Sequence, residues 1–299
     1  MLLSESLYEA LEASLKNLER PHSSIQSIGS VSGGDINRAY RIKTSTGDYF
    51  VKVNNDPLAA SMFLAESNGL DILRNPLGAA HVPKTFLVGN ARGEGFLLME
   101  WIDTGNKHDA PQQEALGRLL ASLHRRHADA YGLDHDNFIG PLPQNNGFSS
   151  DWTEFFIEQR LQKQLDMADQ ILDGTDLHKK FDRLFSRFAD LYPCEPPSLL
   201  HGDLWSGNYL VDQLGTPVFI DPAVYYGNRE VDIAMTKLFG GFSERFYDAY
   251  NETYPLQHGW EERVDLWNLY PLLVHLNLFG RSYLRAIQNN LKQYIGANS

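Results

Sequence analysis

The sequence predicts an α+β fold in which a small antiparallel β-sheet part precedes a larger, mainly helical part. Strand-like runs separated by turn residues fill the chain up to about residue 102, and apolar residues at helical spacing dominate after it. The 299 residues, 42% of them hydrophobic, suffice for a core in each part. We therefore expect two domains, residues 1–102 and residues 103–299, with a hinge near residue 101.

The first domain is predicted to hold two helices and five strands. Leucines at helical spacing indicate an opening helix between Met1 and Arg20, and Pro57 is well placed in the first turn of the second helix. Three strands form an antiparallel meander before that helix, and two strands follow it. The strands are Ile25 to Val31, Arg38 to Lys43, Tyr49 to Val53, Thr85 to Val88 and Gly95 to Met99, and the second helix runs from Pro57 to about Leu73.

The second domain is predicted to be helical apart from one hairpin. The hairpin pairs Tyr209 to Val211 with Val218 to Ile220 through a turn that contains Gly215. Apolar spacing predicts the helices around it. They are Gln112 to Arg126, Asp151 to Leu172, Leu177 to Leu191, Glu230 to Leu238 and a C-terminal series from Glu261 to Tyr294.

The charge balance argues against nucleic acid as a partner. Lys and Arg number 26 against 38 Asp and Glu, and the formal charge of -12 repels a phosphodiester backbone. The single cysteine, Cys194, excludes an internal disulfide and fits a reducing compartment. Neither a secretory signal nor an apolar run of membrane-spanning length is evident. We expect a cytoplasmic protein that does not enter a membrane, and we favour a monomer.

The stretch from His201 to Asn208, followed after the hairpin by Asp221, is the most informative pattern in the chain. Phosphoryl transfer needs an acceptor hydroxyl held in line and Mg²⁺ to neutralise phosphate oxygens. Asp203 can orient the hydroxyl and accept its proton, while Asn208 and Asp221 offer the hard oxygen ligands that Mg²⁺ prefers. Each pair alone is ordinary turn chemistry. Together they predict an ATP-dependent kinase with Asp203 as catalytic carboxylate, and His201 as a packed residue that holds the loop.

A lysine in an apolar strand is the predicted contact to the nucleotide. Lys52 lies between Val51 and Val53, and an inward-facing lysine rarely stays unpaired. Glu66, on the following helix, is its expected partner, and the pair would direct the ammonium group at the ATP phosphates. The alternative is that Lys52 faces solvent on the alternating strand.

Two backbone segments are further candidates for nucleotide binding. Gly33 and Gly34, between the first two strands, can let backbone N–H groups approach phosphate, although two glycines are also common in a hairpin turn. They are not a P-loop, because the P-loop pattern is absent and the turn leads to a strand. The segment Met99-Glu100-Trp101-Ile102 falls where a hinge backbone can bond adenine; its alternative is a linker between the domains.

These residues make the sequence resemble the fructosamine kinase family, also called ketosamine-3-kinases, within the aminoglycoside-phosphotransferase-like kinases. The resemblance implies a protein-kinase-like two-lobed fold, with a small antiparallel β-sheet N-lobe for the nucleotide and a larger helical C-lobe for catalysis and substrate. It also implies ATP- and Mg²⁺-dependent phosphorylation of the third-carbon hydroxyl of a ketosamine, small or protein-bound, in the repair of glycated amines. It extends over nearly the whole chain and rests on Asp203 to Asn208, Asp221 to Asp232, Asn137 to Gly140, Pro143 to Asn146 and Trp152 to Leu161.

The acceptor pocket is less determined by the sequence. Trp205 can stack on the apolar face of the sugar or brace the loop. Tyr225, Tyr226 and Arg229 follow the metal ligand and can line the acceptor side, although Arg229 can instead pair with a carboxylate. Asp35 stands where some family members carry a cysteine in the glycine turn, so a thiol switch through that turn is not available.

Two other functions stay open. An aminoglycoside, choline or homoserine kinase would use the same machinery, and Trp205 with the Tyr225-Tyr226-Gly227 run favours a ketosamine kinase over it. A catalytically dead pseudokinase would act as a nucleotide-dependent binding module. It need not keep every motif residue that this chain keeps.

Overall fold

The computed structural model describes residues 3–18, 24–32, 36–74 and 81–295 of the chain. It divides into two compact units, Met1–Asn106 with Leu210–Asp221 and Lys107–Tyr209 with Pro222–Ser299. The predicted domains were 1–102 and 103–299. The structure differs in that Leu210–Asp221 belongs to the first unit, although the prediction placed it in the second domain. The nucleotide and catalytic roles expected of those domains remain predictions.

One five-stranded antiparallel sheet forms the centre of the first unit. Its strands are β1 (Ile25–Val31), β2 (Arg38–Thr44), β3 (Asp48–Asn54), β4 (Thr85–Ala91) and β5 (Glu94–Glu100). They stand in the order β1-β2-β3-β5-β4, and each neighbouring pair is antiparallel. The predicted meander of the first three strands and both later strands are confirmed.

Two helices cover the two faces of this sheet. On one face Leu11 packs in a core with Val51 and Leu98, and on the other Phe63 packs with Leu97. Successive side chains of a strand point to opposite faces, so the neighbours Leu97 and Leu98 belong to different cores. The helices are α1 (Glu5–Leu18), on the face of Leu98, and α2 (Ala59–Arg74), on the face of Leu97.

Six short strands follow the first sheet and form three two-stranded pairs. They are β6 (Asn137–Ile139), β7 (Leu142–Gln144), β8 (Ser198–Leu200), β9 (Tyr209–Val211), β10 (Pro217–Phe219) and β11 (Tyr225–Gly227), paired β6 with β7, β8 with β11 and β9 with β10. The predicted hairpin is the β9–β10 pair. The prediction that the rest is helical is wrong for the other two pairs, because three-residue strands are too short to show a period-two pattern.

The β9–β10 hairpin is attached to the first unit by backbone hydrogen bonds. The Gly105 N–H donates to the Val211 carbonyl at 2.8 Å, and the Gln213 N–H donates to the Asp103 carbonyl at 3.1 Å. The Phe219 N–H donates to the carbonyl of His81 at 2.9 Å. These bonds satisfy the hairpin's polar edge, and they bring the chain just before Asp221 into the first unit.

Ten α-helices of the second unit are described. They are α3 (Ala110–His124), α4 (Trp152–Phe156), α5 (Gln162–Met167), α6 (Asp169–Leu172), α7 (Leu177–Phe185), α8 (Glu230–Leu238), α9 (Glu244–Thr253), α10 (Trp260–Trp267), α11 (Leu269–Phe279) and α12 (Leu284–Ile295). The predicted helix from Asp151 to Leu172 is broken by a π-helical turn, Ile157–Leu161. The C-terminal series is broken at Gly280, whose φ of 85° an α-helix cannot contain.

Aromatic side chains form the core of the second unit. The Trp267 side chain is 1% exposed, and its ring lies 5.4 Å from that of Phe156 and 5.3 Å from that of Tyr192. Helices α3 and α9 approach closely at Gly117, where a Cβ would lie 2.2 Å from the Phe246 carbonyl oxygen. Within the described ranges, each helix is too short or too polar to cross a bilayer.

Candidate active site

Lys52 forms a buried ion pair in the first unit. It is 6% exposed, and its Nζ donates to Glu66 Oε1 at 2.8 Å. Its neighbours Val51 and Val53 pack in the core on the α1 face, so Lys52 points to the other face, where α2 carries Glu66. The predicted contact between the two side chains is present, and the solvent-facing alternative is wrong.

Asp221 is the third member of this charged group. It follows β10 closely, and its Oδ1 accepts a hydrogen bond from Lys52 Nζ. Its φ is 53°, in the left-handed region that residues other than glycine seldom adopt. The Asp221 side chain is 40% exposed, against 13% for Glu66. Lys52 thus pairs with a largely buried carboxylate, Glu66, and with a partly exposed one, Asp221.

The charges of this group are coupled. Burial opposes the charge of Lys52, but Asp221 and Glu66 outweigh burial and raise the pKa of the ammonium group above its ordinary value. Burial raises the pKa of Glu66 to about 7, against the lowering effect of Lys52. At neutral pH Lys52 is therefore a fixed cation beside an open carboxylate, a combination suited to a phosphate group with its metal ion.

Asp203 and Asn208 meet in the loop between β8 and β9 of the second unit. The Asn208 Nδ2 donates to Asp203 Oδ2 and to the Asp203 carbonyl, both at 2.8 Å. The two bonds use both amide hydrogens, so the amide oxygen of Asn208 is its acceptor end. Backbone turns close the loop, with Trp205 N–H donating to the Asp203 carbonyl at 3.1 Å. The Asp203 carboxylate thus accepts a hydrogen bond from a neutral amide.

Asp232, at the start of α8, holds this loop by hydrogen bonds to its backbone. Its Oδ2 accepts from the His201 N–H at 2.7 Å, and its Oδ1 accepts from the Gly202 N–H at 2.9 Å. The Nε2 of His124 lies 3.1 Å from Oδ2, and the side chains of His124 and Asp232 are at most 1% exposed. The Asp203 N–H donates to His201 Nδ1 at 3.3 Å, and His201 is fully buried. This agrees with His201 as a packed residue that holds the loop.

The segment between Pro222 and β11 packs against the Asp203 loop. The Ala223 N–H donates to the His201 carbonyl at 2.9 Å. Gly202 has a φ of 82°, and a Cβ there would lie 2.0 Å from the Ala223 carbonyl oxygen. A larger residue at Gly202 would therefore force the loop off this segment.

Buried amides in β6 and β7 hold that segment in turn. Asn137 Nδ2 donates to the Val224 carbonyl at 2.8 Å, and Gln144 Nε2 donates to the Ala223 carbonyl at 3.2 Å and to Asn137 Oδ1 at 2.8 Å. Arg160 joins the network through Asn146, whose Oδ1 accepts from its guanidinium at 2.6 Å. The sequence pattern assigned these amides no role, because Asn137 and Gln144 stand among polar, glycine and proline residues that look like an ordinary loop.

Of the four predicted acceptor residues, two are accessible. Trp205 is 40% exposed, and its ring folds over Gly207, where a Cβ would meet the indole at 2.2 Å. Tyr226 is partly exposed on β11. Both remain candidates for contact with a substrate.

Tyr225 and Arg229 are interior residues, and the prediction that they line the acceptor pocket needs correction. Tyr225 is 0% exposed, with the Arg160 guanidinium 4.0 Å from its ring centroid. Arg229 is 2% exposed and forms a two-pronged ion pair with Glu195 at 2.7 and 2.8 Å. The carboxylate alternative for Arg229 is therefore correct. Strand alternation explains Tyr225, because its neighbour Tyr226 points the other way.

The predicted nucleotide segments differ in what the structure says of them. Gly33, Gly34 and Asp35 lie outside the described residues. Met99 is 3% exposed and belongs to the core under α2. The Glu100 N–H and Lys84 carbonyl are bonded at 2.8 Å, and the Arg41 guanidinium lies 4.3 Å from the Trp101 ring centroid. Ile102 follows the end of β5 and is partly buried. An adenine contact by Met99 to Ile102 stays a prediction.

The donor chemistry of these residues fits Mg²⁺. An amide oxygen and a partly exposed carboxylate, on Asn208 and Asp221, are hard ligands. Within the described part of the chain, His, Cys, Asp and Glu do not gather in threes as a metal site. Mg²⁺ bound to a nucleotide needs no such cluster, since phosphates and water complete its shell.

The fold, with a sheet lysine paired to a glutamate of α2 and a carboxylate–amide loop later in the chain, is that of the protein-kinase-like phosphotransferases. A solved aminoglycoside phosphotransferase, in complex with ADP and hygromycin B, matches it with a TM-score of 0.64 at 14% identity, covering 98% of this chain and 100% of its own. The predicted fold class is confirmed.

The chain belongs to the fructosamine kinase family, whose model matches residues 7–297. An Enterococcus faecium protein that bears the name probable ketoamine kinase is 44% identical, over 88% of this chain and 94% of its own. The chloroplastic protein-ribulosamine 3-kinase of Arabidopsis thaliana is 39% identical, over 91% and 83%. A Haemophilus somnus structure that bears the name fructosamine-3-kinase has a TM-score of 0.86 at 29% identity, covering 97% and 100%. The resemblance seen in the motifs is confirmed.

Proposed function

We propose that this protein transfers the terminal phosphoryl group of ATP to the 3-hydroxyl of a ketosamine, with Asp203 as general base. The observation that carries the chemistry is the loop in which Asn208 holds the Asp203 carboxylate at 2.8 Å. The acceptor class follows from the ketoamine and ribulosamine 3-kinase relatives. The aminoglycoside and choline alternatives share the fold at far lower identity.

In the proposed reaction Asp203 accepts the proton of the sugar hydroxyl as the oxygen attacks. A new bond forms between that oxygen and the terminal phosphorus, the bond from phosphorus to the bridging oxygen breaks, and ADP leaves. The carboxylate needs no covalent part in the step, and proton transfer by a positioned base is worth about 10²–10⁴ in rate. The 3-phosphate of the product then leaves as inorganic phosphate by elimination, and water hydrolyses the resulting imine to free the amine, which is the deglycation step.

The other residues hold the nucleotide in this proposal. Lys52, kept charged by its carboxylate neighbours, pairs with the phosphates, and Glu66 holds Lys52 in place. Asn208 and Asp221 would hold Mg²⁺, which neutralises phosphate oxygens when bound. The backbone at Gly33 and Gly34 and the segment from Met99 to Ile102 would cover phosphate and adenine.

The sugar would lie against Trp205 and Tyr226, the two predicted acceptor residues that are accessible. An indole face beside the base can stack on the apolar face of a sugar ring. A cytoplasmic location and a monomeric state complete the proposal, with the single cysteine as its support for a reducing compartment.

The test is a coupled assay of ADP release with ribuloselysine and fructoselysine, run against kanamycin, choline and homoserine at equal concentration. We expect turnover with the ketosamines alone. NMR should show the product as a phosphate ester on the oxygen of the third carbon. Turnover of another acceptor without any ketosamine turnover would reject the acceptor class. Nucleotide binding with no turnover of any acceptor would instead favour the pseudokinase.

Asp221→Asn tests the metal assignment separately. We expect a higher Mg²⁺ concentration for half-maximal rate and weaker ATP binding, because one charged oxygen ligand is lost. The matched control is Asp212→Asn, in the turn of the β9–β10 hairpin. There the side chain accepts hydrogen bonds from two backbone N–H groups. An unchanged Mg²⁺ titration in Asp221→Asn would remove Asp221 from the ligand set.

A further inference from the structure

A row of accessible aromatic rings begins at Trp205 and leads away from the Asp203 loop. The Trp205 ring lies 6.4 Å from that of Phe239, just after α8, and the Phe239 ring lies 4.9 Å from that of His275 on α11. Phe279 and Tyr283 continue the row at 5.5 and 5.1 Å from His275. All distances join ring centroids. We call these five residues the aromatic strip.

The strip is exposed where core aromatics are not. Trp205 is 40%, Phe239 42% and Phe279 52% exposed, whereas the core ring of Trp267 is 1% exposed. A contiguous row of exposed large apolar side chains is a common form of ligand-binding surface. His275 and Phe279 stand four residues apart on α11, so helix geometry places them on one face.

The strip is also uncharged at neutral pH. His275 Nδ1 donates to the Pro271 carbonyl at 2.7 Å, and burial lowers the pKa of the imidazole below its ordinary value. Neutral ring faces attract a cation by their electron density and also accept apolar groups. Beyond Trp205, a sugar chain of hydroxyls suits this surface poorly, because it would lose its bonds to water there.

The geometry points to the aromatic strip as the binding site for the substituent on the ketosamine nitrogen, with an apolar or aromatic substituent preferred. This inference rests on the proposed function. If the 3-hydroxyl lies at Asp203, the nitrogen is three carbon atoms away and bears the group that is not sugar. Trp205 is two positions from Asp203 in the same loop, and its backbone N–H donates to the Asp203 carbonyl at 3.1 Å. In this proposal the ketosamine therefore extends its nitrogen from Asp203 past Trp205 and along the strip.

Each part of the strip has its own role in this arrangement. Phe239, the ring next to Trp205, meets the secondary ammonium by cation–π contact, while Trp205 faces the sugar. His275, Phe279 and Tyr283 meet the distal, apolar part of the substituent. The strip therefore determines which glycated amines are used, while Asp203 performs the chemistry on all of them.

The test compares ribulose adducts of two amines, methylamine and phenethylamine, in the wild type and in Phe279→Ala. The quantity measured is the ratio of kcat/KM for the phenethylamine adduct to that for the methylamine adduct. We expect Phe279→Ala to lower this ratio by about 2- to 10-fold, which is the range that an aromatic contact of about 0.5–1.5 kcal/mol corresponds to. Phe279→Tyr keeps the ring and should keep the ratio.

Phe148→Ala is the matched control, because Phe148 is 63% exposed in the same unit and outside the strip. An equal ratio in the wild type, Phe279→Ala and Phe148→Ala, with ketosamine turnover intact, would overturn the strip and leave the proposed function standing. An equal fall in both alanine variants would overturn it too. Absence of ketosamine turnover in the wild type would reject the function itself. A dimer that Phe279→Ala dissociates, with the ratio unchanged, would make the strip a contact between copies and also overturn the inference.

Discussion

The two sets of candidate catalytic residues are held in place by different forces. In the first unit Lys52, Glu66 and Asp221 hold one another by direct ion pairs, and Lys52 is buried. In the second unit the Asp203 carboxylate accepts from the amide of Asn208, and the buried carboxylate of Asp232 accepts from two backbone N–H groups of the same loop. The first set depends on charge balance for stability, and the second keeps its shape without the charge of Asp203.

This difference predicts how substitutions divide between activity and stability. Removing one member of a buried ion pair leaves its partner charged and unpaired, which costs about 3–5 kcal/mol. Removing the charge of a partly exposed carboxylate that accepts a neutral bond leaves no such defect. Four predictions test the contrast, beginning with the largest effect.

Asp203→Asn should lower kcat by about 100-fold or more, because general-base help is worth about 10²–10⁴. The side chain keeps its shape and an oxygen for the Asn208 bond, so the melting temperature and the ATP dissociation constant should stay near wild type. Steady-state kinetics measure kcat, thermal unfolding measures the melting temperature, and isothermal calorimetry measures the ATP dissociation constant. Asp173→Asn, on an exposed loop, is the control. Near-normal turnover in Asp203→Asn would reject the base assignment.

Lys52→Met should lose both activity and about 3–5 kcal/mol of the free energy of unfolding, because Glu66 is left enclosed without its cation. Adding Glu66→Leu should restore most of the stability and none of the activity, since the pair is then replaced by apolar groups. Urea denaturation of both variants is the measurement, with Lys43→Met on the exposed side of β2 as control. A double variant no more stable than Lys52→Met would contradict charge balance as the cause.

Asp232→Asn should lower the free energy of unfolding by about 1–3 kcal/mol and reduce kcat with it. An amide presents one oxygen where two backbone N–H groups and His124 now find carboxylate oxygens, so at least one buried donor loses its acceptor. Coupled losses distinguish Asp232 from Asp203. Intact kcat beside reduced stability would show that the loop keeps its shape without this anchor.

The smallest expected effect is a pH dependence of stability from His124. Burial lowers its pKa below the ordinary value of about 6.5, against the raising effect of Asp232. The unfolded chain therefore takes up a proton that the folded chain does not, and stability present above about pH 6.5 is lost as pH falls below it. The slope cannot exceed about 1.4 kcal/mol per pH unit for one group.

His124→Gln should flatten that slope between about pH 7 and about pH 5.5, measured by denaturant unfolding at several pH values. His275, whose pKa burial also lowers, should leave part of the slope in place. An unchanged slope in His124→Gln would mean that His124 does not contribute to it.

Local pattern predicted what depends on short stretches of chain. The strand alternation around Val51 and Val53 turns Lys52 to the face of α2, and the five-residue spacing of Asp203 and Asn208 suffices for one loop to bring them together. Strands of three residues were not predicted, because so few residues do not show an alternation of apolar and polar side chains. The pairs β6–β7 and β8–β11 were missed, and with them the burial of Tyr225 and the amide network around Asn137.

The sequence by itself determined the family, the sheet of the first unit and the residues proposed for phosphoryl transfer, because their spacing is local and their chemistry is specific. Tertiary structure alone decided that Asp221 joins Lys52, that Arg229 pairs with Glu195, and that rings from residues 205 to 283 line up in one strip. These are contacts between residues far apart in the chain. They depend on how helices and strands pack, which no local periodicity encodes.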